Sequence, residues 1–170
     1  MGLYLIGNGP QQTTAAFAAV TTGTAIKTML QVKASATAPM KVVEWGISFD
    51  GSAAATPIKV ELGESGTVAA TVTATATADI TKLDGDAIAG GDPVTNLIPV
   101  GTTSTGYTAT AEGTITAWRN FDIQFIVPTN QYVKQFPLGR EPIVQVSSFL
   151  RIRVTAGAAV NCYCYVVVQV

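Results

Sequence analysis

From Ile26 onward the chain alternates apolar and polar side chains with the period of two that a half-buried strand requires. Ile26, Thr28, Leu30 and Val32 fall on one side and Lys27, Gln31 and Lys33 on the other, with Met29 the exception. Val43, Trp45, Ile47 and Phe49 form an apolar face opposite Val42, Glu44, Gly46 and Ser48, and Ile58, Val60 and Leu62 alternate with Lys59 and Glu61. A Val/Ala/Thr strand, with room for a bend, runs from Val68 to Ile80. Tyr107–Trp118 and Phe121–Val127 give two more, the second setting Phe121, Ile123, Phe125 and Val127 against Asp122 and Gln124. Leu150, Ile152 and Val154 alternate with Arg151 and Arg153, and Asn161–Val170 closes the series. Asp50-Gly51-Ser52, Gly63–Gly66 and Gly157 supply turns, Lys82–Pro93 a Gly- and Asp-rich loop, and Thr129–Pro142 a loop rich in large side chains. About eight strands without a long helix predict an all-β fold, a β-sandwich of jelly-roll or related Greek-key type. Its predicted core holds Trp45, Ile47, Phe49, Phe121, Ile123, Phe125, Ile152 and Val154.

Residues 1–25 do not share this alternation. Asn8-Gly9-Pro10 breaks the chain, and the Thr/Ala stretch that follows offers only Phe17 and Val20 as large apolar anchors. A short helix over Thr14–Val20 would have a thin core-facing stripe. The predicted organisation is an N-terminal arm over 1–25 and a sandwich domain over 26–170. A disordered tail is the other reading of the arm; an extended segment lying on a partner is the expectation carried forward.

Charge changes the picture. Only 12% of side chains are charged, about half the usual share, and histidine is absent. A surface this sparse in charge favours association, so part of it is expected to be covered by other protein. The missing imidazole removes the usual general base near neutral pH and the commonest metal ligand. Net charge −1 with scattered Lys and Arg argues against nucleic acid. The longest apolar run, Cys162–Val168, is far short of the roughly 20 residues a membrane-spanning helix needs. Gly7-Asn8-Gly9-Pro10 interrupts any secretory signal, which predicts synthesis in the cytoplasm.

Candidate chemistry is thin. Cys162 and Cys164 share a strand face, lack partner ligands for zinc, and read as small buried hydrophobes. Asp84, Asp86 and Asp92 invite calcium, but their spacing fits no loop signature and a solvated turn explains them. Glu44 and Glu61 have no second feature of a glycosidase beside them. The expectation is a non-enzymatic chain with no cofactor, no metal and no small-molecule substrate. Aromatic residues at strand ends and loops, Trp118, Tyr132 and Phe136, would suit sugar stacking or a protein interface. Anchoring of Tyr132 and Phe136 onto the protein's own core is the competing reading.

Three segments carry a resemblance: Val42-Val43-Glu44-Trp45-Gly46-Ile47-Ser48-Phe49-Asp50-Gly51, Gln131-Tyr132-Val133-Lys134-Gln135-Phe136-Pro137-Leu138-Gly139-Arg140, and Phe149-Leu150-Arg151-Ile152-Arg153-Val154. Together they resemble small virion proteins of tailed bacteriophages that decorate or cement the capsid. The resemblance implies a β-sandwich protomer on the capsid surface, assembled as a homotrimer and seated between capsomers. Its arm or loops would bind the major capsid protein. The interface candidates are Phe17 and Val20 of the arm, with Trp118, Tyr132, Phe136 and Arg140. The alternatives are a receptor- or carbohydrate-binding module of a phage fibre or spike, which would stack sugar on Trp118 or Tyr132, and a tail or connector subunit.

Overall fold

Period-two alternation becomes strands that, among the described residues, pair antiparallel, beside one isolated parallel bridge between Val100 and Thr105. The structure, a computed structural model, describes residues 2–14, 16, 18–51, 56–84 and 97–170. In chain order the strands are β1 Leu3–Gly7, β2 Val20–Thr21, β3 Lys27–Lys33, β4 Met40–Asp50, β5 Ile58–Glu64, β6 Thr71–Ala74, β7 Ile80–Lys82, β8 Gly106–Ala111, β9 Arg119–Ile126, β10 Gln131–Gln135, β11 Ile143–Val144, β12 Phe149–Thr155 and β13 Asn161–Gln169. The first sheet has the order β10-β4-β13-β1-β7, with β11 added to β4 and β2 to β13; the second runs β6-β8-β3-β12-β5-β9. The pairs nest. β1 meets β13, β3 meets β12, β4 meets β10 and β5 meets β9, as in one long hairpin. Rolling that hairpin also brings β13 onto β4 and β12 onto β5. Eight strands wound this way make a jelly roll. β6, β7 and β8, inserted between β5 and β9, extend the two sheets at the far edge.

The main core lies between the sheets, and Ala70, Val72 and Ala109 form a second, small cluster. Tyr4, Ile6, Met40, Val42, Trp45, Ile47, Phe49, Cys162, Cys164, Val166 and Val168 come from the first sheet, and Met29, Leu30, Val32, Ile58, Val60, Leu62, Leu150, Ile152 and Val154 from the second. Of four register shifts among the described strand pairs, three set which face a core strand presents, because an extra residue reverses the alternation beyond it. The β3–β12 pairing steps from Leu30 to Thr28 and skips Met29, so Met29 joins the core and Thr28 turns outward. The β4–β13 pairing skips Val43, so Met40 and Val42 face inward in place of Val43. The β5–β9 pairing skips Phe121, which packs partly against the core.

The last bulge overturns an expectation. Inward from β9 come Asp122, Gln124 and Ile126, whereas Ile123 is 40% and Phe125 72% exposed. Ile123 and Phe125 therefore do not belong to the core. Ile26, 44% exposed, also lies outside it. The expected arm is corrected as well. Leu3–Gly7 is an interior strand between β13 and β7, with Tyr4 and Ile6 buried, so the sandwich includes the segment assigned to an arm. The described residues between β1 and β2 that are exposed are 10–14, 16, 18 and 19. The Val68–Ile80 strand breaks at a 3-10 turn, Thr77–Asp79, where the chain crosses between sheets. Tyr107–Trp118 is strand only as far as Ala111. The loop expected over Thr129–Pro142 contains β10.

The outward face of the second sheet is divided. Over β3 and β12 it is covered by residues 68–70 and Glu112. Arg151, fully buried, donates to the carbonyls of Val68 and Glu112, the latter at 2.9 Å, and lies 3.4 Å from Glu112 Oε2. Burial pulls its guanidinium down to about 10, against the opposing pull of Glu112. Thr28 donates to the same carboxylate at 2.6 Å, and Gln31 holds Ala70 through a 2.8 Å bond from the Ala70 N–H. Over β5 the face is partly covered by Trp118, and over β9 it is open.

Replacing Ile152 with alanine should lower unfolding free energy by about 2–5 kcal/mol, the cost of a core cavity. Ile123→Ala should cost about 1 kcal/mol or less. Urea unfolding of the two variants measures this, and equal losses would contradict the orientation of β9.

Candidate functional site

The side chain that orients β9 is Asp122. Its Oδ2 accepts the Trp45 indole N–H at 3.2 Å and the Tyr132 hydroxyl at 2.9 Å; its Oδ1 accepts Gln124 Nε2 at 2.9 Å and lies 3.3 Å from Lys134 Nζ. Trp45 and Tyr132 belong to the first sheet and Asp122 to the second, so one carboxylate joins the sheets at their β9–β10 edge. The two rings pack tilted, 5.4 Å apart. Burial alone would raise the Asp122 pKa, but the hydrogen bonds from Gln124 and Tyr132 and the Lys134 charge outweigh it and hold the carboxyl below its usual range. Burial and the bond to Asp122 push the Tyr132 phenol up to about 12.

With Asp122 and Gln124 turned in, strand geometry turns Ile123 and Phe125 out. Phe125 lies opposite Lys59 and Ile123 opposite Glu61 on β5. Glu61 is 3.0 Å from Lys59 Nζ and 3.4 Å from Arg153 Nη2. Arg153 stacks on Trp118, its guanidinium carbon 3.5 Å from the ring centroid. The indole lies over Gly63, where a Cβ would meet it at 2.5 Å, and donates to Asn120 at 2.5 Å. Beyond the bulge, Arg119 sits 5.0 Å from the Phe121 ring and bonds Glu64 and the Ile143 carbonyl. The result is a short belt of paired charges bordered by an apolar lip of Ile123, Phe125 and Val127, on a strand that ends its sheet.

The expected interface residues do not converge here. Phe17 lies outside the described residues. Val20 packs half-buried against the core, and Tyr132 faces inward to Asp122. Phe136 also packs against the core, with Lys134 5.1 Å from its ring. Trp118 borders the belt, half-buried, with Arg153 stacked on its ring and Gly63 beneath it. Arg140 is exposed in the turn after Leu138, which is 97% exposed. Asp84 accepts the Leu3 N–H at 2.7 Å, while Asp86 and Asp92 lie outside the described residues. Among the described residues no group of three acidic, Cys or His side chains is placed to hold a metal. Cys162 and Cys164 are buried and free, and burial raises the Cys164 thiol well above its usual value. The chain matches no protein-family model, no curated protein and no solved structure.

Asp122→Asn should cost about 1–3 kcal/mol at neutral pH, because the Tyr132, Trp45 and Lys134 donors lose their charged acceptor. The folded-state pKa of Asp122 is depressed, so its contribution is complete above the ordinary value of 3.8 and fades as pH falls through the folded value. Thermal melts of both proteins from pH 7 downward should therefore converge only below about pH 4. A gap that stays constant down to pH 2 would contradict this role.

Proposed function

We propose that this chain is a structural virion protein that decorates and stabilises a tailed-phage capsid by binding the major capsid protein between capsomers. The observation that carries the reading is the outward face of β9. Phe125 is 72% exposed at the centre of an apolar lip, on an edge strand whose backbone has no further partner among the described residues. An exposed aromatic of this size forgoes about 1.5–3 kcal/mol of burial. Such a surface is favoured where another protein supplies the burial, since large aromatics anchor interfaces. The charge-paired belt of Lys59, Glu61 and Arg153 beside it fits the polar rim that surrounds such an anchor.

The sparse charge and the jelly-roll frame support the same reading, as does the resemblance in the β4, β10 and β12 segments. The exposed turn Pro137–Arg140, with Leu138 at its tip, offers a second contact to a neighbouring capsomer or protomer. Assembly as a closed trimer, and the absence of catalytic activity, belong to this proposal.

Phe125→Lys should leave the thermal melt within a few degrees of the parent protein while lowering affinity for purified shells stripped of it by about tenfold or more. Occupancy is read by gel densitometry of sedimented shells. Unchanged occupancy with an intact fold would remove β9 from the interface.

A further inference from the structure

The opposite side of the sandwich carries a different kind of surface. On β13, Cys162, Cys164 and Val166 face the core, so Tyr163 and Tyr165 face outward from the first sheet. Both rings lie across glycines. A Cβ at Gly46 would come 2.5 Å from Tyr165 Cε1, and one at Gly7 3.1 Å from the Tyr163 hydroxyl oxygen. Glycine at these two places lets the rings lie close to the sheet. They sit side by side, centroids 6.1 Å and planes 27° apart. Tyr165 is fixed by a 2.5 Å bond from its hydroxyl to Glu44 Oε1, whose second oxygen accepts Gln135 Nε2 at 2.6 Å.

Tyr163 forms one wall of a cavity of about 410 Å3. Gly7, Gly9 and Pro10 add backbone and ring surface without long side chains, and Asp79, Thr81 and Gln12 supply the polar groups. The wall opposite the sheet is pinned. Gln11 donates its backbone N–H to Asp79 Oδ1 at 2.8 Å and its side-chain amide to Thr81 Oγ1. This leaves Asp79 Oδ2 without a hydrogen bond among the described residues, and Gln12 held only through its amide nitrogen, at 3.0 Å from the Pro10 carbonyl.

We propose that this cavity binds a neutral saccharide. One flat aromatic wall suits the apolar C–H face of a sugar ring, and a carboxylate oxygen with amide groups nearby suits its hydroxyls. The remaining lining narrows the class. No Lys or Arg lines the cavity among the described residues, and Asp79 repels anions, which disfavours phosphates and acidic sugars. Among the described residues Tyr163 is the one aromatic ring that lines the cavity, too little for a quaternary-ammonium cage. Four polar side chains make a poor site for a wholly apolar ligand. The volume falls at the lower end of the roughly 300–1,000 Å3 that small-molecule sites occupy. Because Tyr163 faces away from the β9 side, the cavity stays open when the β9 face is covered, and the isolated protein suffices to test it.

The experiment is an amide-resolved NMR titration of the full chain with the methyl glycosides of glucose, galactose, mannose and N-acetylglucosamine, with methyl glucuronide as the anionic comparison. At least one neutral glycoside should give saturable shifts at Gly7, Gly9, Gln12 and Thr81, with a dissociation constant in the millimolar range or tighter. Tyr163→Ala should weaken that binding about tenfold, the effect of losing a ring contact. Asp79→Asn, an isosteric change in a group outside the core, should weaken it similarly and serves if the Tyr163 variant fails to fold. Phe125→Lys should leave it unchanged. No saturable shift with any neutral glycoside, tighter binding of the glucuronide, or binding indifferent to Asp79→Asn would each overturn the proposal.

Discussion

A carboxylate between two sheets decides which way the last strand of the sandwich faces. Asp122 accepts from Trp45 and Tyr132 across the gap while Lys134 neutralises it, and those partners are fixed by the first sheet. Removing such a charge from water is tolerable only with this full set of donors. Once Asp122 is committed inward, a period of two commits Ile123 and Phe125 outward. The bulge at Phe121 makes the arrangement possible, because it lets the ring pack against the core next to the inward polar groups Asp122 and Gln124. The middle of this jelly-roll edge is thus closed by polar chemistry, and Ile123 and Phe125 are left at the surface.

That inversion gives the molecule two unlike sides. The second sheet is polar and covered over β3 and β12, through Arg151, Gln31, Thr28 and Glu112, and open over β9. The first sheet presents tyrosines laid over glycines beside a polar cavity. A protein seated on a shell by its β9 side would hold the tyrosine side toward solvent. In this account the sparse charge of the chain concerns the first contact, and the cavity concerns the second. A strand that exposes its apolar residues conflicts with the folding of the lone chain, and such conflicts concentrate where function demands them.

Much of the architecture was legible in the alternation of β4, β5 and β12, whose inward residues are apolar and whose outward neighbours are mostly polar. About eight strands spaced by turns such as Asp50-Gly51 and Gly63–Gly66 pointed to a jelly roll or related Greek key, without its pairing. What the pattern hid was hidden for definite reasons. Each bulge shifts the phase by one residue, and only Met29 left a trace of this as the exception within its strand. β9 read backwards because hydrophobicity assigns Ile123 and Phe125 to the core, while the Asp122 partners come from strands far away in sequence. β10 read as loop because its inward residues, Tyr132 and Lys134, serve a carboxylate and give no apolar alternation. β1 read as an arm because five residues ending at Gly7 are too few to show a period, although Tyr4 and Ile6 carry it. Tyr163 and Tyr165 were visible as the outward partners of two cysteines, but nothing local places Asp79 and Gln12 beside them.

The central claim is that the β9 face is covered in the assembled particle. Amide hydrogen exchange, measured on the free protein and on the same protein bound to purified shells, tests it most directly. The account predicts that amides of residues 119–127 exchange more slowly when bound, while those lining the Tyr163 cavity keep their free rates. Unchanged exchange over 119–127, with new protection appearing on the tyrosine face, would contradict it.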